Sequence, residues 1–140
     1  MENILNYAGT NYTVFLRSYT TDVVGAHSIQ GIVRRMIGDE AVIDNVRDVD
    51  FPEIDLELRE SIGYLGDDSA GPGAATLVST NFQSLLEEIC EDAKSKSLRS
   101  IGLKAFRFKD GHPAYPVFWD FAFLFVGNRE CELLVGSSSD

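Results

Sequence analysis

The sequence has few of the residues on which most catalytic and metal sites depend. It contains only two cysteines and two histidines. No Cys-x-x-Cys pair, His-x-x-x-His pair or Gly-x-Ser-x-Gly run occurs, so neither a zinc motif nor a nucleophile elbow is present. Two cysteines do not make a disulfide framework, which fits a reducing, cytoplasmic compartment. We therefore predict a protein that is not an enzyme and binds no metal and no cofactor.

Long apolar runs and an excess of basic residues are also absent. No stretch of 18 apolar residues occurs, and the opening Met1-Glu2-Asn3 lacks the basic-then-apolar layout of a signal peptide. The chain has 12 Lys and Arg against 22 Asp and Glu, a net charge of −10. A chain of this charge repels nucleic acid and anionic lipid. We therefore predict a cytoplasmic protein that binds neither nucleic acid nor a membrane.

The composition is that of a folded chain. Hydrophobic residues make up 44% and aromatic residues 11% of the 140 positions. A chain of this size buries roughly two-thirds of the surface it exposes when unfolded, enough for one core. We predict a single domain over residues 1–140.

The negative charge is concentrated in one part of the chain, residues 39–68, which we call the acidic segment. It holds eleven carboxylates and only two arginines, a net charge of −9. Charges packed this closely repel one another. The segment is therefore either a solvated face that keeps the protein soluble or a contact surface for a strongly basic partner. The acids are Asp39, Glu40, Asp44, Asp48, Asp50, Glu53, Asp55, Glu57, Glu60, Asp67 and Asp68.

We predict that a protein partner binds to acids and aromatics within this segment. The predicted contact residues are Asp48, Asp50, Phe51, Glu53, Asp55, Glu57, Tyr64, Asp67 and Asp68. The four acids around Phe51 rank first, since an aromatic ring inside a polar rim is a common anchor of binding energy. The same acids could hold a hard cation, but they lack the central glycine of a calcium loop and include Pro52. We predict no metal site there.

Hydrophobic spacing predicts mostly helix in the first half of the chain. Residues 4–19 are either two short helices or a turn leading into a strand. Apolar residues from Ile29 to Met36 lie on one helical face, with Ser28 as N-cap and Gly38 as stop. Residues 41–49 suit a short acidic helix that ends near Pro52. Residues 53–65 fit a half-buried strand or an amphipathic helix, and the two alternatives stay open.

The second half predicts a sheet and one long helix. After a glycine-rich loop over 63–73, residues 74–78 suggest a short strand. A capping box of Thr80 and Gln83 opens a helix. Strands follow at 100–109, 117–126 and 131–135, and residues 136–140 suggest a solvated tail. The predicted fold class is α+β, with N-terminal helices and a mostly antiparallel C-terminal sheet (strand, helix, three-strand meander) covered by helices on one side.

The run Val117–Val126 (VFWDFAFLFV) is apolar in both phases of a strand, which predicts a central position in the sheet. Asp120 is its only charged residue. Burying a carboxylate is costly unless it is paired. We predict that Asp120 is partly buried and forms an ion pair with Arg107 or Lys104.

The C-terminal residues FRFKDGHPAYPVFWDFAFLFVGNRECELLVGSSSD form an aromatic hairpin followed by a Gly-Ser-rich end. This composition and order of elements resembles the C-terminal regions of small bacterial immunity proteins. These proteins are antidotes encoded beside polymorphic and contact-dependent growth inhibition toxins. The resemblance implies a cytosolic, non-enzymatic inhibitor that binds the C-terminal domain of a cognate toxin, which is often a basic nuclease. It implies no particular binding residue in this chain.

The charge pattern and the resemblance suggest the same function by separate routes. An acidic patch can occupy the positive cleft with which a nuclease holds phosphates, and long-range attraction speeds that encounter. We predict an immunity-type protein that neutralises a basic toxin domain. The alternatives are an acidic scaffold domain for another basic partner and a small enzyme whose site is assembled from scattered residues. An enzyme should show a concave pocket with convergent polar groups and shifted pKa values.

Overall fold

A computed structural model describes all 140 residues and has an α+β fold. The helices are α1 (Glu2–Ala8), α2 (Ile29–Ile37), α3 (Phe51–Ile62), α4 (Ala74–Leu77) and α5 (Thr80–Arg99). The strands are β1 (Thr13–Asp22), β2 (Val42–Asp48), β3 (Gly102–Asp110), β4 (Trp119–Val126) and β5 (Glu130–Ser139). None of the helices combines the length and the apolar composition that a membrane crossing requires.

The five strands form one antiparallel sheet in the order β1-β5-β4-β3-β2. Strand β4 is central and pairs with both β3 and β5, as predicted. Side chains on its two faces pack into two separate hydrophobic cores. Phe121, Phe123 and Phe125 point toward α3 and α5, whereas Ala122 and Leu124 point toward α2. The alternation explains why β4 is apolar in both phases.

Helix α2 follows its prediction closely. The Ser28 hydroxyl accepts a hydrogen bond from the Gly31 N–H at 3.0 Å, which caps the first turn. Gly38 ends the helix at φ 136°, a backbone conformation that favours glycine. The open alternatives at the N-terminus resolve as a helix followed by a strand, α1 and then β1.

The predicted helix over residues 41–49 is wrong, because this stretch is the edge strand β2. Val42, Val46 and Val49 have helical spacing, yet β-branched residues favour strands. Pairing with β3 decides the outcome, and a bulge at Asn45, with φ 52°, disturbs the spacing of the strand.

The open choice for residues 53–65 resolves as helix α3. Asp50 and Glu53 form a capping box, in which each side chain accepts the backbone N–H of the other at 2.9 Å. Pro52 lies in the first turn, where a missing N–H costs nothing. The Phe51-Pro52 pair therefore starts a helix instead of ending one.

Two further predictions need correction around α5. Residues 74–77 form the short helix α4, so the predicted strand over 74–78 is wrong. The N-cap of α5 is Ser79, whose hydroxyl accepts the Phe82 N–H at 3.2 Å, so Thr80 is not the cap. The Gln83 amide donates to the Leu77 carbonyl at 2.7 Å and ties α5 back to α4.

The predicted solvated tail over residues 136–140 is also wrong. Strand β5 continues to Ser139 between β1 and β4, and Ser137 and Ser138 are buried. Small residues are needed because the ring of Phe121 lies directly over Gly136. Glycine and serine serve here as packing residues, which explains why their composition resembled that of a tail.

One side-chain amide bonds to outward backbone groups at each edge of the sheet, and we call these two contacts the edge clips. On β1, the Asn6 side chain accepts the Val14 N–H at 2.6 Å and donates to the Val14 carbonyl at 3.2 Å. On β2, Gln30 accepts the Ile43 N–H at 3.0 Å and donates to the Ala41 carbonyl at 2.7 Å. Each amide takes the place of a residue in a missing neighbouring strand. Unpaired edges promote aggregation, and clips of this kind blunt them.

Candidate functional site

The acidic segment covers the turn before β2, the edge strand β2, helix α3 and the loop after α3, which is bonded to Asn11 ahead of β1. Several of its predicted contact residues are already bonded within the protein. Asp48 is exposed and pairs with Lys104, and Asp55 pairs with Arg59 at 3.0 Å. The same Arg59 bonds Glu87 at 2.7 Å and so joins α3 to α5. These carboxylates already have counterions within the fold, although pairs as exposed as that of Asp48 add little stability.

Three more predicted residues also have internal partners. Asp50 and Glu53 form the capping box, and Glu53 lies 3.5 Å from Arg47. Asp67 accepts hydrogen bonds from Ser69, which lowers the pKa of its carboxyl, and holds the loop after α3 in a turn. Substituting these acids would therefore change local structure as well as charge.

The two predicted aromatic anchors are half-buried and packed inside the protein. Phe51 packs against the core under α3. The ring of Tyr64 stacks on Tyr12 and Phe118, with ring centroids 6.1 and 5.8 Å apart. These contacts hold both rings within the fold.

The remaining acids of the segment include five whose side chains make no hydrogen bond or ion pair: Asp39, Glu40, Glu57, Glu60 and Asp68. Four are exposed, and Glu57 is half-buried. No ion pair within the fold neutralises them, and only Glu57 is attracted by nearby arginines, Arg107 and Arg47. These five acids are the part of the acidic segment whose charge no hydrogen bond or ion pair within the fold engages.

Two of the free acids line a groove of about 520 Å³ beside α3, which we call the α3 groove. One wall consists of α3 residues at positions i, i+3, i+4 and i+7, namely Glu53, Leu56, Glu57 and Glu60. The facing wall consists of Arg47, Arg107, Phe118, Trp119 and Asp120. The groove therefore combines apolar and aromatic surface with charges of both signs.

The groove exists because the sheet splits. Strands β3 and β4 pair only from Gly102 to Ala105, and beyond that point they diverge. Arg107 bridges the gap, donating to the Asp120 carbonyl at 3.0 Å and pairing with its carboxylate. The predicted pairing and partial burial of Asp120 are confirmed, since its side chain is 25% exposed. A smaller slot of about 160 Å³ lies inside the split.

The charges in the α3 groove are unevenly matched. Arg47 is paired with Glu53, and Arg107 with Asp120. Glu57 and the exposed Glu60 have no cation of their own. Burial raises the pKa of the Glu57 carboxyl above its usual value, against the pull of Arg107 and Arg47. The groove thus has more negative than positive charge and should attract a cation.

The lining of the groove lacks the residues of a nucleophilic site, although it brings carboxylates and arginines together. It contains no histidine and no cysteine, and the Ser61 hydroxyl makes no hydrogen bond to a base. Both cysteines of the chain are buried elsewhere, and burial raises the pKa of the Cys90 thiol to about 11. That thiol therefore stays protonated at neutral pH and is a poor nucleophile. No group of three or more metal-ligating side chains occurs in the structure.

Two other hollows differ in character. One of about 470 Å³ near the end of α5 is lined by Lys96, Arg99 and Arg129. Glu132 lies 3.5 Å from Lys96 and 4.0 Å from Arg99, so two of its cations are already matched. Another of about 500 Å³ lies between α1 and α4 and is mostly apolar. Neither contains acids of the acidic segment.

Sequence reasoning identified part of the groove. Of the predicted contact residues, only Glu53 and Glu57 line it. Leu56, Glu60 and Trp119 were not predicted as site residues. Residues 53, 56, 57 and 60 share one face of a helix. The helix alternative for residues 53–65 would therefore have predicted that these residues lie together.

Comparisons of the chain with protein-family models, with curated proteins and with solved structures gave no match.

Proposed function

We propose that this protein is an immunity-type inhibitor that binds a cognate basic toxin domain, of the nuclease class, through its acidic segment. The observation that carries the proposal is the set of five acids without internal partners. A chain that needed charge only for solubility could spread it over its surface at less electrostatic cost. Here −9 of the −10 lies in one segment, and part of it is uncompensated.

Electrostatics explains how such a surface would act. A nuclease holds phosphates in a cleft lined by Lys and Arg. An acidic protein is drawn to that cleft over distances of about 10 Å at moderate salt, which accelerates association. Once docked, it excludes the nucleic acid. The nuclease class itself follows from the resemblance to immunity proteins.

The test compares two charge-neutral variants with the same change in net charge. The first carries Asp39→Asn, Glu40→Gln and Asp68→Asn, three free acids outside the α3 groove. The control carries Glu→Gln at positions 88, 91 and 130, which are exposed and unpaired elsewhere. Association with the product of the neighbouring gene is measured at two ionic strengths, together with inhibition of its activity.

The first variant should associate about tenfold more slowly at low salt and with a weaker salt dependence, whereas the control should change little. Equal effects of the two variants would mean that net charge alone matters and that the acidic segment is not the contact surface. Binding without inhibition of the toxin would favour a scaffold for a basic partner instead.

A further inference from the structure

We infer that the α3 groove receives one arginine side chain from the basic partner, with the guanidinium between Glu57 and Glu60 and the methylene stem against Leu56 and Trp119. The inference rests on the proposed function, because it takes the partner to be a basic protein. It adds the chemistry of one anchor residue.

The composition of the groove matches this occupant. Leu56 is 57% exposed although it is a large apolar residue, and it faces an aromatic wall. Such a wall accepts the stem of a long side chain, which is apolar up to its charged end. The volume of about 520 Å³ lies within the range of about 300–1,000 Å³ typical of ligand pockets.

Charge complementarity selects a cation. The two arginines of the groove are each paired with another carboxylate, so neither Glu57 nor Glu60 has an ion pair, although Arg107 and Arg47 attract Glu57 from further away. A cation placed between them would relieve their repulsion. It would also favour the ionised form of Glu57, whose pKa is raised by burial, and binding should therefore release protons near that pKa.

Arginine fits the groove better than lysine. Its planar guanidinium can form paired hydrogen bonds to a carboxylate while one face rests on an aromatic ring. Trp119 and Phe118 supply such rings. An ammonium group is more strongly hydrated and forms no fork of donors.

The chain carries a built-in reporter for the test, since Trp119 is its only tryptophan and lines the groove. The probes are three capped peptides, acetyl-Gly-Ala-X-Ala-Gly-amide, in which X is arginine, citrulline or lysine. Citrulline keeps the shape of arginine without its charge. Each peptide is titrated into the full-length protein at low salt, and Trp119 emission is followed.

The arginine peptide should shift Trp119 emission in a saturable way, more tightly than lysine, with no response to citrulline. Glu57→Gln and Glu60→Gln should each weaken the arginine peptide several-fold, whereas Glu88→Gln, an exposed acid on α5, should not. An equal response to citrulline or to lysine overturns the assignment. So does an affinity that neither groove substitution changes.

Failure of the inference can be told apart from failure of the proposed function. If the toxin binds wild-type protein and the Glu57→Gln, Glu60→Gln double variant equally well, the groove does not anchor the toxin. The proposal that the acidic segment is the contact surface is then unaffected. If the arginine peptide binds the groove but the product of the neighbouring gene does not bind the protein, the proposed function fails alone.

Discussion

The close contact between Gly136 and Phe121 allows a sharp test of the C-terminal strand. A Cβ at position 136 would lie 2.3 Å from Cζ of Phe121 and 2.7 and 2.8 Å from its Cε atoms. The ring has little room to move, because it is buried and stacked between Trp119 and Phe123 at 5.7 and 5.3 Å. Gly136→Ala therefore forces an overpacked core.

The expected cost follows from that geometry. Overpacking in a tight core destabilises proteins by about 1–3 kcal/mol. The contact here is with rigid ring atoms between two stacked neighbours, so we expect a loss of about 3 kcal/mol. With a urea m-value of about 2 kcal/mol/M, the midpoint of unfolding should fall by about 1.5 M.

The assay is urea unfolding followed by far-UV circular dichroism, with Gly102→Ala as the matched control. Gly102 also lies in a strand, but a Cβ there would meet its nearest neighbour, Val126, at an ordinary 3.8 Å. The control should change the free energy of unfolding by less than about 0.5 kcal/mol. Adding Phe121→Leu to Gly136→Ala removes the ring atoms in conflict and should recover about 1 kcal/mol relative to additivity. A Gly136→Ala variant as stable as the control would refute the placement of β5 against Phe121.

Three further substitutions test separate features. Asp120→Ala removes the carboxylate that pairs with Arg107 across the split sheet and keeps only the bond to the backbone carbonyl, so it should cost about 1–3 kcal/mol in urea melts. A change within error would mean that the ion pair is dispensable. Asn6→Ala removes the clip on Val14 and should lower the free energy of unfolding by about 1 kcal/mol. It should also increase self-association at high protein concentration, measured by sedimentation. Unchanged sedimentation would argue against a protective role of the clip. Because burial raises the pKa of Glu57 in the folded state, its ionisation destabilises the fold, and stability from this group falls as pH rises through that pKa. Glu57→Gln should therefore be more stable than wild type at pH 7 and equal to it below the unfolded value of 4.5; a gap that persists in acid would show another cause.

The elements predicted correctly are those whose own residues carry the signal, as hydrophobic spacing or as capping residues. Strand β4 is apolar in both phases because both of its faces meet cores, so its central place could be predicted. Helix α2 carries its own cap and stop, Ser28 and Gly38. Such signals lie within a few residues of the element that they define.

The failures share a different cause, which is tertiary pairing. Residues 42–48 become a strand because β3 lies beside them. Residues 136–139 become one because β1 and β4 pair with them on both sides, and Gly136 fits under Phe121. The two walls of the α3 groove differ in the same way. The α3 wall follows from helical spacing, whereas the facing wall depends on where β3 and β4 part, which no local pattern marks.

The edge clips have a consequence for how partner preference can change over time. A partner strand cannot hydrogen-bond to the N–H and carbonyl of Val14, which bond to Asn6, or to the N–H of Ile43, which bonds to Gln30. Backbone pairing tolerates many sequences, so a protein that recognises by strand addition is inherently permissive. Strand addition is blocked at those positions, and under the proposed function recognition would then depend more on exposed side chains such as those of α3, where a substitution alters contacts without disturbing the sheet. If the proposed function holds, such a chain would acquire a new partner, or lose an old one, by changing a few surface residues on an unchanged scaffold.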